Sequence, residues 1–148
     1  MKTRSKESEV LIRPAIQSDI AGILDCIQPF VKEGKVLPRT VDELEELLPH
    51  YWVAQAGGKI VGCVVLEIYS KKLAEIRSLV VAHDFQGKAL GKRLVEVCVE
   101  RAKQDGILEV MAITSQDRFF QNCGFDYTLP GEKRALFLLT GTLPVHKE

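Results

Sequence analysis

The sequence has no surplus of charge of either sign: lysine plus arginine and aspartate plus glutamate number 20 each. Nucleic-acid binders neutralise phosphates with a basic excess, so a whole-domain polyanion footprint is excluded, although a local basic patch is not. Cysteine is sparse and scattered. Cys26, Cys63, Cys98 and Cys123 form no Cys-x-x-Cys pair and have no histidine at ligand spacing, which argues against a zinc site, so no metal is expected. Cys26, Cys63 and Cys98 fall at apolar positions of predicted elements and read as reduced, buried thiols. No apolar run approaches the ~20 residues of a membrane span, and the charged start MKTRSKESEV lacks an apolar signal region. The expectation is a cytoplasmic protein that engages neither nucleic acid nor membrane. Repeats, low-complexity tracts and linkers are missing too. The 148 residues therefore read as one domain, 1–148, with the polar residues 1–8 expected to fray.

What is present is an ordinary globular balance, 46% apolar and 27% charged residues, with clear periodicity. Val10 to Pro14 predicts a first strand. Ser18 predicts the cap of a helix whose apolar positions, Ile20, Ile23, Leu24, Ile27 and Val31, recur at helical spacing until Gly34. After the loop KVLPR, Thr40 opens a short helix to Leu47–Leu48 with Glu43, Glu45 and Glu46 on its wet side. Tyr51–Gln55 and Lys59–Ile68, joined by Gly57-Gly58, read as a hairpin, and Leu73–Val81 as the next strand. Leu90–Gln104 predicts a helix with Leu90, Leu94, Val97, Cys98 and Ala102 on one stripe, ended by Gly106. A strand over Leu108–Ile113 follows, then a short helix capped by Ser115 and running through Asn122. Strands over Phe125–Thr128 and Arg134–Leu139 close the chain. The order β-α-α-β-β-β-α-β-α-β-β predicts an α/β (α+β) fold, a mixed central β-sheet flanked by helices on both faces.

One stretch carries recognisable chemistry: FQGKALGKRL, Phe85 to Leu94. Gly87 admits backbone conformations closed to other residues, and Gly91 admits close approach at the first helical turn. Unpaired amides at the positive end of a helix dipole suit a phosphate or pyrophosphate, and Lys88 and Lys92 add formal charge. Neither the Walker A nor the Rossmann spacing is present. A plain strand-to-helix turn with surface lysines is the other reading of this segment.

Gln86-Gly87-Lys88-Ala89-Leu90-Gly91 resembles the Q/R-x-x-G-x-G/A pyrophosphate loop of the GNAT superfamily of acyl-CoA N-acyltransferases, with Ala89 where glycine is usual. An Ala89 in helical geometry makes that departure mild. FFQNCGF, Phe119 to Phe125, resembles the family's F-Y-x-x-x-G-F. The predicted element order matches as well, so the resemblance covers residues 10 to about 140. Within the superfamily, PFVKEGKVLPRT, DELEELLPHYWVA and the strand EIRSLVV resemble the catalytic domain of the N-acetylglutamate synthases. Those enzymes acetylate the α-amine of glutamate from acetyl-CoA at the head of arginine biosynthesis. Residues 126–140 are shorter than in that group, and a chain of this length would be a stand-alone form or a domain excised from a fusion.

The resemblance implies acetyl-CoA as cosubstrate. It places the pantetheine arm and acetyl carbonyl on the backbone of Leu79, Val80 and Val81. The pyrophosphate falls on Gln86, Gly87, Lys88, Ala89, Leu90, Gly91 and Lys92, with Phe120 beside the cofactor. Phe120 stands where the family's thiolate-assisting tyrosine usually is, so that role is vacant, and nothing places Tyr127 near the sulfur. Strand alternation puts Glu75, Arg77 and Leu79 on one face and Ile76, Ser78 and Val80 on the other. Charges on a central strand are costly unless partnered, so Glu75 and Arg77 either satisfy each other or cross-strand residues, or act on a ligand. The resemblance makes Glu75 the general base for the incoming amine. It also sets the Thr114 hydroxyl near the sulfur, the alternative being that Thr114 helps Ser115 cap the next helix. For the acceptor it implies Arg39 gripping a carboxylate bidentately, the backbone of Leu37 and Ser78 holding polar groups, and Arg77 adding charge. A solvated loop arginine is the other reading of Arg39, and Lys133 or Arg134 stands near a second anchor. The expected function is N-acetylation of an amino acid, glutamate first, with a small-molecule acceptor as partner and a homodimer left open. The rivals are acetylation of another small amine or a protein N-terminus, and a non-catalytic acetyl-CoA-binding sensor.

Overall fold

A computed structural model describes residues 9–128 and 131–142; the fraying expected of residues 1–8 lies outside them. Five strands, β1 (Leu11–Pro14), β2 (Tyr51–Ala56), β3 (Lys59–Ile68), β4 (Leu73–Val81) and β5 (Glu109–Met111), form one sheet in sequence order. Neighbours are antiparallel from β1 to β4, while β4 and β5 run parallel. The helices are α1 (Ile20–Lys32), α2 (Val41–Leu47), α3 (Leu90–Gln104) and α4 (Asp117–Asn122).

Two apolar faces dictate this layering. Along β3, Cys63 and Val65 point to one core and Val64 and Leu66 to the other, so the strand needs cover on both sides. On one face Ile20, Ile23, Ile27 and Phe30 of α1 and Leu44 of α2 pack on Tyr51, Val53, Cys63, Val65 and Val80. On the other, Leu90, Leu94, Val95, Cys98 and Ala102 of α3, with Phe120 of α4, cover Trp52, Ala54, Val64, Leu66 and Ile76. The expected mixed sheet between helices is thus the observed fold. All four cysteines are free, with Cys63 and Cys98 buried and Cys26 only half-buried.

Several local expectations change. Asp19, not Ser18, secures the entry to α1: its carboxylate accepts the Ile16 N–H at 2.8 Å and a two-pronged bond from Arg13 at 2.7 and 2.9 Å. Thr40 and Glu43 cap α2 reciprocally, at 3.1 and 3.2 Å, as their spacing predicts. Val95 takes the buried place on α3 expected of Val97, which is half-buried. β5 keeps three residues of the expected Leu108–Ile113, and α4 starts at Asp117 with no cap from Ser115. Phe125–Thr128 and Arg134–Leu139 form no strand, and Leu136 to Leu139 are exposed. Apolar residues make a strand only where a ladder receives them, and neither segment pairs with the short β5.

Candidate active site

The sheet opens along β4. Its pairing with β5 ends at Glu75–Met111, whereas β3 follows it to Val81. Among the described residues, the β5-side edge of β4 has no ladder partner from Ile76 onward, and this edge lines a cleft. On the β3 side the register slips, so that Val64 alone stands against Ser78 and Leu79, a β-bulge. Ser78 adopts φ 52°, the left-handed region that non-glycine residues seldom enter. Its hydroxyl accepts from Arg39 Nε at 3.2 Å, and its carbonyl accepts from the Cys63 thiol at 3.6 Å. The Tyr51 hydroxyl lies buried nearby, without a hydrogen-bond partner among the described residues. Burial, chiefly, pushes that phenol up to about 12.

The bulge corrects the expected alternation. Leu79 leaves the face of Glu75 and Arg77 and joins Ile76 in the α3 core, while Val80 turns to the α1 side. One inserted residue inverts the side chains after it.

The cleft has a volume of about 740 Å³. Its lining gathers Leu37, Arg39, Glu75, Arg77, Ser78, Leu79, Val80, Val81, Gln86, Thr114 and Phe120 from both halves of the expected site. Glu75 of the lining stands in register with Glu67 across β3 and β4, an arrangement that repels. The two carboxylates are stabilised differently. Glu67 takes the cations, Arg77 Nη1 at 3.0 Å and Arg39 Nη1 at 3.8 Å. Glu75, 7% exposed, accepts the Tyr69 hydroxyl at 2.6 Å. Among the described residues it has no ion pair. Of the partnerings open to Arg77, the cross-strand one is observed, with Glu67, and Glu75 and Arg77 do not pair with each other. Burial and the Glu75 carboxylate push the Tyr69 phenol up to about 12, which keeps it a donor at neutral pH. Arg39 is no solvated loop residue. Its side chain is 7% exposed and its Nη1 also reaches Glu43 at 3.3 Å.

Glu67 and Tyr69 are the site residues missed by sequence reasoning. Glu67 carried a signal: two residues beyond Cys63 and Val65, it continues the inward face of β3. Tyr69 lies in the turn between β3 and β4, where its sequence position gives no hint of its partner.

The cofactor side is built from backbone. Gln86 Nε2 donates to the Val81 carbonyl at 2.9 Å and ties the loop to the end of β4. Gly87 has φ 79°. Ala89 has φ 60° and ψ 15°, so it is left-handed rather than helical. That geometry costs alanine roughly 1–2 kcal/mol and accounts for the glycine usual there. No side chain caps α3, which leaves its first amides, at the positive dipole end, open to an anion. The Leu90 side chain is buried in the core, so only its backbone can serve a ligand, while Lys88 and Lys92 are exposed. A Cβ on Gly91 would sit 3.3 Å from the Phe119 ring, so this glycine also seats α4 against α3.

Thr114 Oγ1 accepts the Gln116 N–H at 2.8 Å and keeps its own proton to donate. Phe120 is packed edge-on against Phe119 and Phe125, with centroids 5.0 and 5.3 Å apart, and brings no donor. The Tyr127 hydroxyl bonds the Asp117 carboxylate, away from the cleft lining. Lys133 and Arg134 are exposed and do not line the cleft.

A family model described as the acetyltransferase (GNAT) family matches residues 20–125. An uncharacterised N-acetyltransferase of Chlorobaculum tepidum is 32% identical over 118 residues, covering 80% of this chain and 76% of that protein. The amino-acid acetyltransferase of Pasteurella multocida is 32% identical over 136 residues, covering 88% of this chain. This chain spans only 31% of that relative's length. A Mycobacterium tuberculosis protein solved in complex with CoA and NLQ superposes with a TM-score of 0.74 at 27% identity, covering 80% of this chain and 73% of that one. N-acetylglutamate synthase from Neisseria gonorrhoeae, in complex with CoA and N-acetyl-glutamate, gives 0.75 at 27% identity, covering 84% of this chain and 30% of that one. With the open β4 edge and the uncapped α3 placed as they are, the chain belongs to the acetyltransferase (GNAT) family and is an N-acetyltransferase with acetyl-CoA as its cosubstrate.

Proposed function

We propose that this protein acetylates the α-amine of an amino acid, with glutamate as the acceptor, the step that opens arginine biosynthesis. The observation that carries the reading is Glu75: a carboxylate with no cationic partner among the described residues, lining the cleft beside Arg39 and Arg77. The choice of glutamate is supported by the relatives named amino-acid acetyltransferases and by the N-acetylglutamate synthase complex. The cytoplasm, which keeps thiols reduced, suits the four free cysteines.

Acetyl-CoA supplies the acetyl group as a thioester. On this reading the backbone of Leu79 to Val81, on the edge of β4 that β5 leaves uncovered, holds the acyl arm, and Gln86 to Lys92 hold the pyrophosphate. An acceptor ammonium lying against Glu75 gives up its proton to the carboxylate, directly or through one water, and becomes the nucleophile. Arg77 and Arg39 receive the acceptor's carboxylates, and Leu37 and Ser78 offer backbone groups. The Glu43 side chain, 45% exposed, is the partner a substrate carboxylate displaces from Arg39. Phe120 has no proton to give the leaving sulfur. Thr114 does, and a thiolate is a tolerable leaving group near neutral pH.

Thiol release from acetyl-CoA, measured with glutamate, glutamine, other amino acids, small amines and an N-terminal peptide, tests the reading. Turnover highest with glutamate is the expected result. A preference for an amine without carboxylates would sink the acceptor assignment. Phe120 favours a second reading, a non-catalytic acetyl-CoA sensor. Saturable cofactor binding with no release for any amine would establish that one instead.

A further inference from the structure

The turn from β3 to β4 is held closely. Tyr69 N–H and Ser70 N–H both reach the Leu73 carbonyl, at 3.0 and 3.2 Å. The Ser70 hydroxyl accepts the Lys72 N–H at 3.0 Å. The start of β5 braces the far side, with Leu108 N–H and Glu109 N–H on the carbonyls of Lys71 and Lys72 at 2.9 and 3.1 Å. From this frame the Tyr69 phenol reaches back over the sheet, 2.6 Å from Glu75 Oε1 and 3.4 Å from Glu67 Oε2. The residue is 53% exposed, so its ring fills little core. Its defined contact is the hydroxyl.

The charged groups around Glu75 come from every neighbouring element: Glu67 on β3, Arg77 on β4, and Arg39, Glu43 and Lys35 from the segments before and within α2. Arg77 goes to Glu67, and Arg39 is shared by Glu43 and Glu67. Among the described residues that division leaves Glu75 with a single hydrogen bond from a neutral donor, on one carboxylate oxygen. A general base must have a fixed direction and must not be neutralised by a cation. A short O–H···O⁻ bond from a neutral donor meets both needs.

Resting on the reading of Glu75 as the base, we propose that Tyr69 is a positioning residue for the transfer: its hydroxyl pins Glu75 Oε1 and aims the second oxygen at the acceptor amine. Tyr69 keeps its own proton throughout, and the proton taken from the ammonium resides on Glu75. Ionisation of Tyr69, pushed up to about 12, lies outside the working range and contributes no limb to the pH profile.

The test is the split between kcat and KM for Tyr69→Phe, measured on the full chain beside the wild type and Glu75→Gln. The phenylalanine keeps the ring. Loss of a hydrogen bond to a charged group should lower kcat about tenfold, with the KM for acetyl-CoA unchanged. A lowered rate accompanied by an equal loss of acetyl-CoA affinity would show a merely structural tyrosine and overturn the proposal, as would wild-type kinetics. Full activity in Glu75→Gln would instead remove the base assignment beneath it, whatever Tyr69→Phe does.

Discussion

At and behind the proposed acceptor end of the cleft, Arg39, Glu43, Glu67, Arg77, Glu75 and Tyr69 are joined by side-chain bonds, most of them between partly or fully buried groups. At the cofactor end the groups offered to a ligand are main-chain amides between Gly87 and Gly91, and the nearby lysines stand in solvent. The first end is specified by which side chains are present. The second is specified by backbone shape: two left-handed residues, an uncapped helix and a strand edge released from its neighbour. Side-chain substitutions should therefore act strongly at the acceptor end, and backbone-restricting ones at the cofactor end.

The largest separation is expected from Glu75→Gln. Removing a general base should cut kcat by roughly 10²–10⁴ with the acetyl-CoA KM unchanged in steady-state assays. An equal loss of cofactor affinity would break the division between the ends. Next comes Glu67→Ala, which leaves both arginines without their shared carboxylate. The loss of a charged, half-buried partner is worth about 2 kcal/mol, so the acceptor KM should rise about thirtyfold while cofactor binding holds. At the other end, Gly87→Ala adds a Cβ that meets nothing within 4 Å, so the effect is conformational alone. At φ 79° it should cost about 1 kcal/mol and raise the acetyl-CoA KM about fivefold, leaving the acceptor KM alone. The smallest effect should come from Ala89→Gly. Relief of the left-handed alanine, offset by a looser unfolded chain, should leave a gain of about 0.5 kcal/mol, seen as a rise of about 1–2 °C in Tm. A fall in Tm would show that the backbone of Ala89 is not strained.

How far the sequence alone reached depended on how local each cause was. Leu90–Gln104 and Leu73–Val81 have the predicted bounds because apolar spacing and flanking turn residues act within one segment. The Thr40–Glu43 cap was legible for the same reason. The role of Ser78 was not. Its left-handed turn arises from a register slip against β3 and is held by Arg39 and Cys63, from two other segments. Alternation counted along β4 therefore went wrong at Leu79. The expected strands after Asn122 failed through the opposite error, since apolar composition was read where no partner strand received it.

The sequence by itself determined the order of elements as far as Asn122, the two apolar faces of the sheet, the glycine-bearing turn before α3 and the absence of an aromatic hydroxyl at Phe120. Each follows from properties of residues near one another in the chain. Only the tertiary structure decided that β4 parts from β5 after Glu75, that a bulge inverts the strand beyond Arg77, and that Glu67 draws off both arginines while Tyr69 is left to Glu75. Those outcomes are set by competition among groups up to 39 positions apart, such as Arg39 and Ser78, and a carboxylate's partner is fixed only when the strands that carry its rivals have come into register.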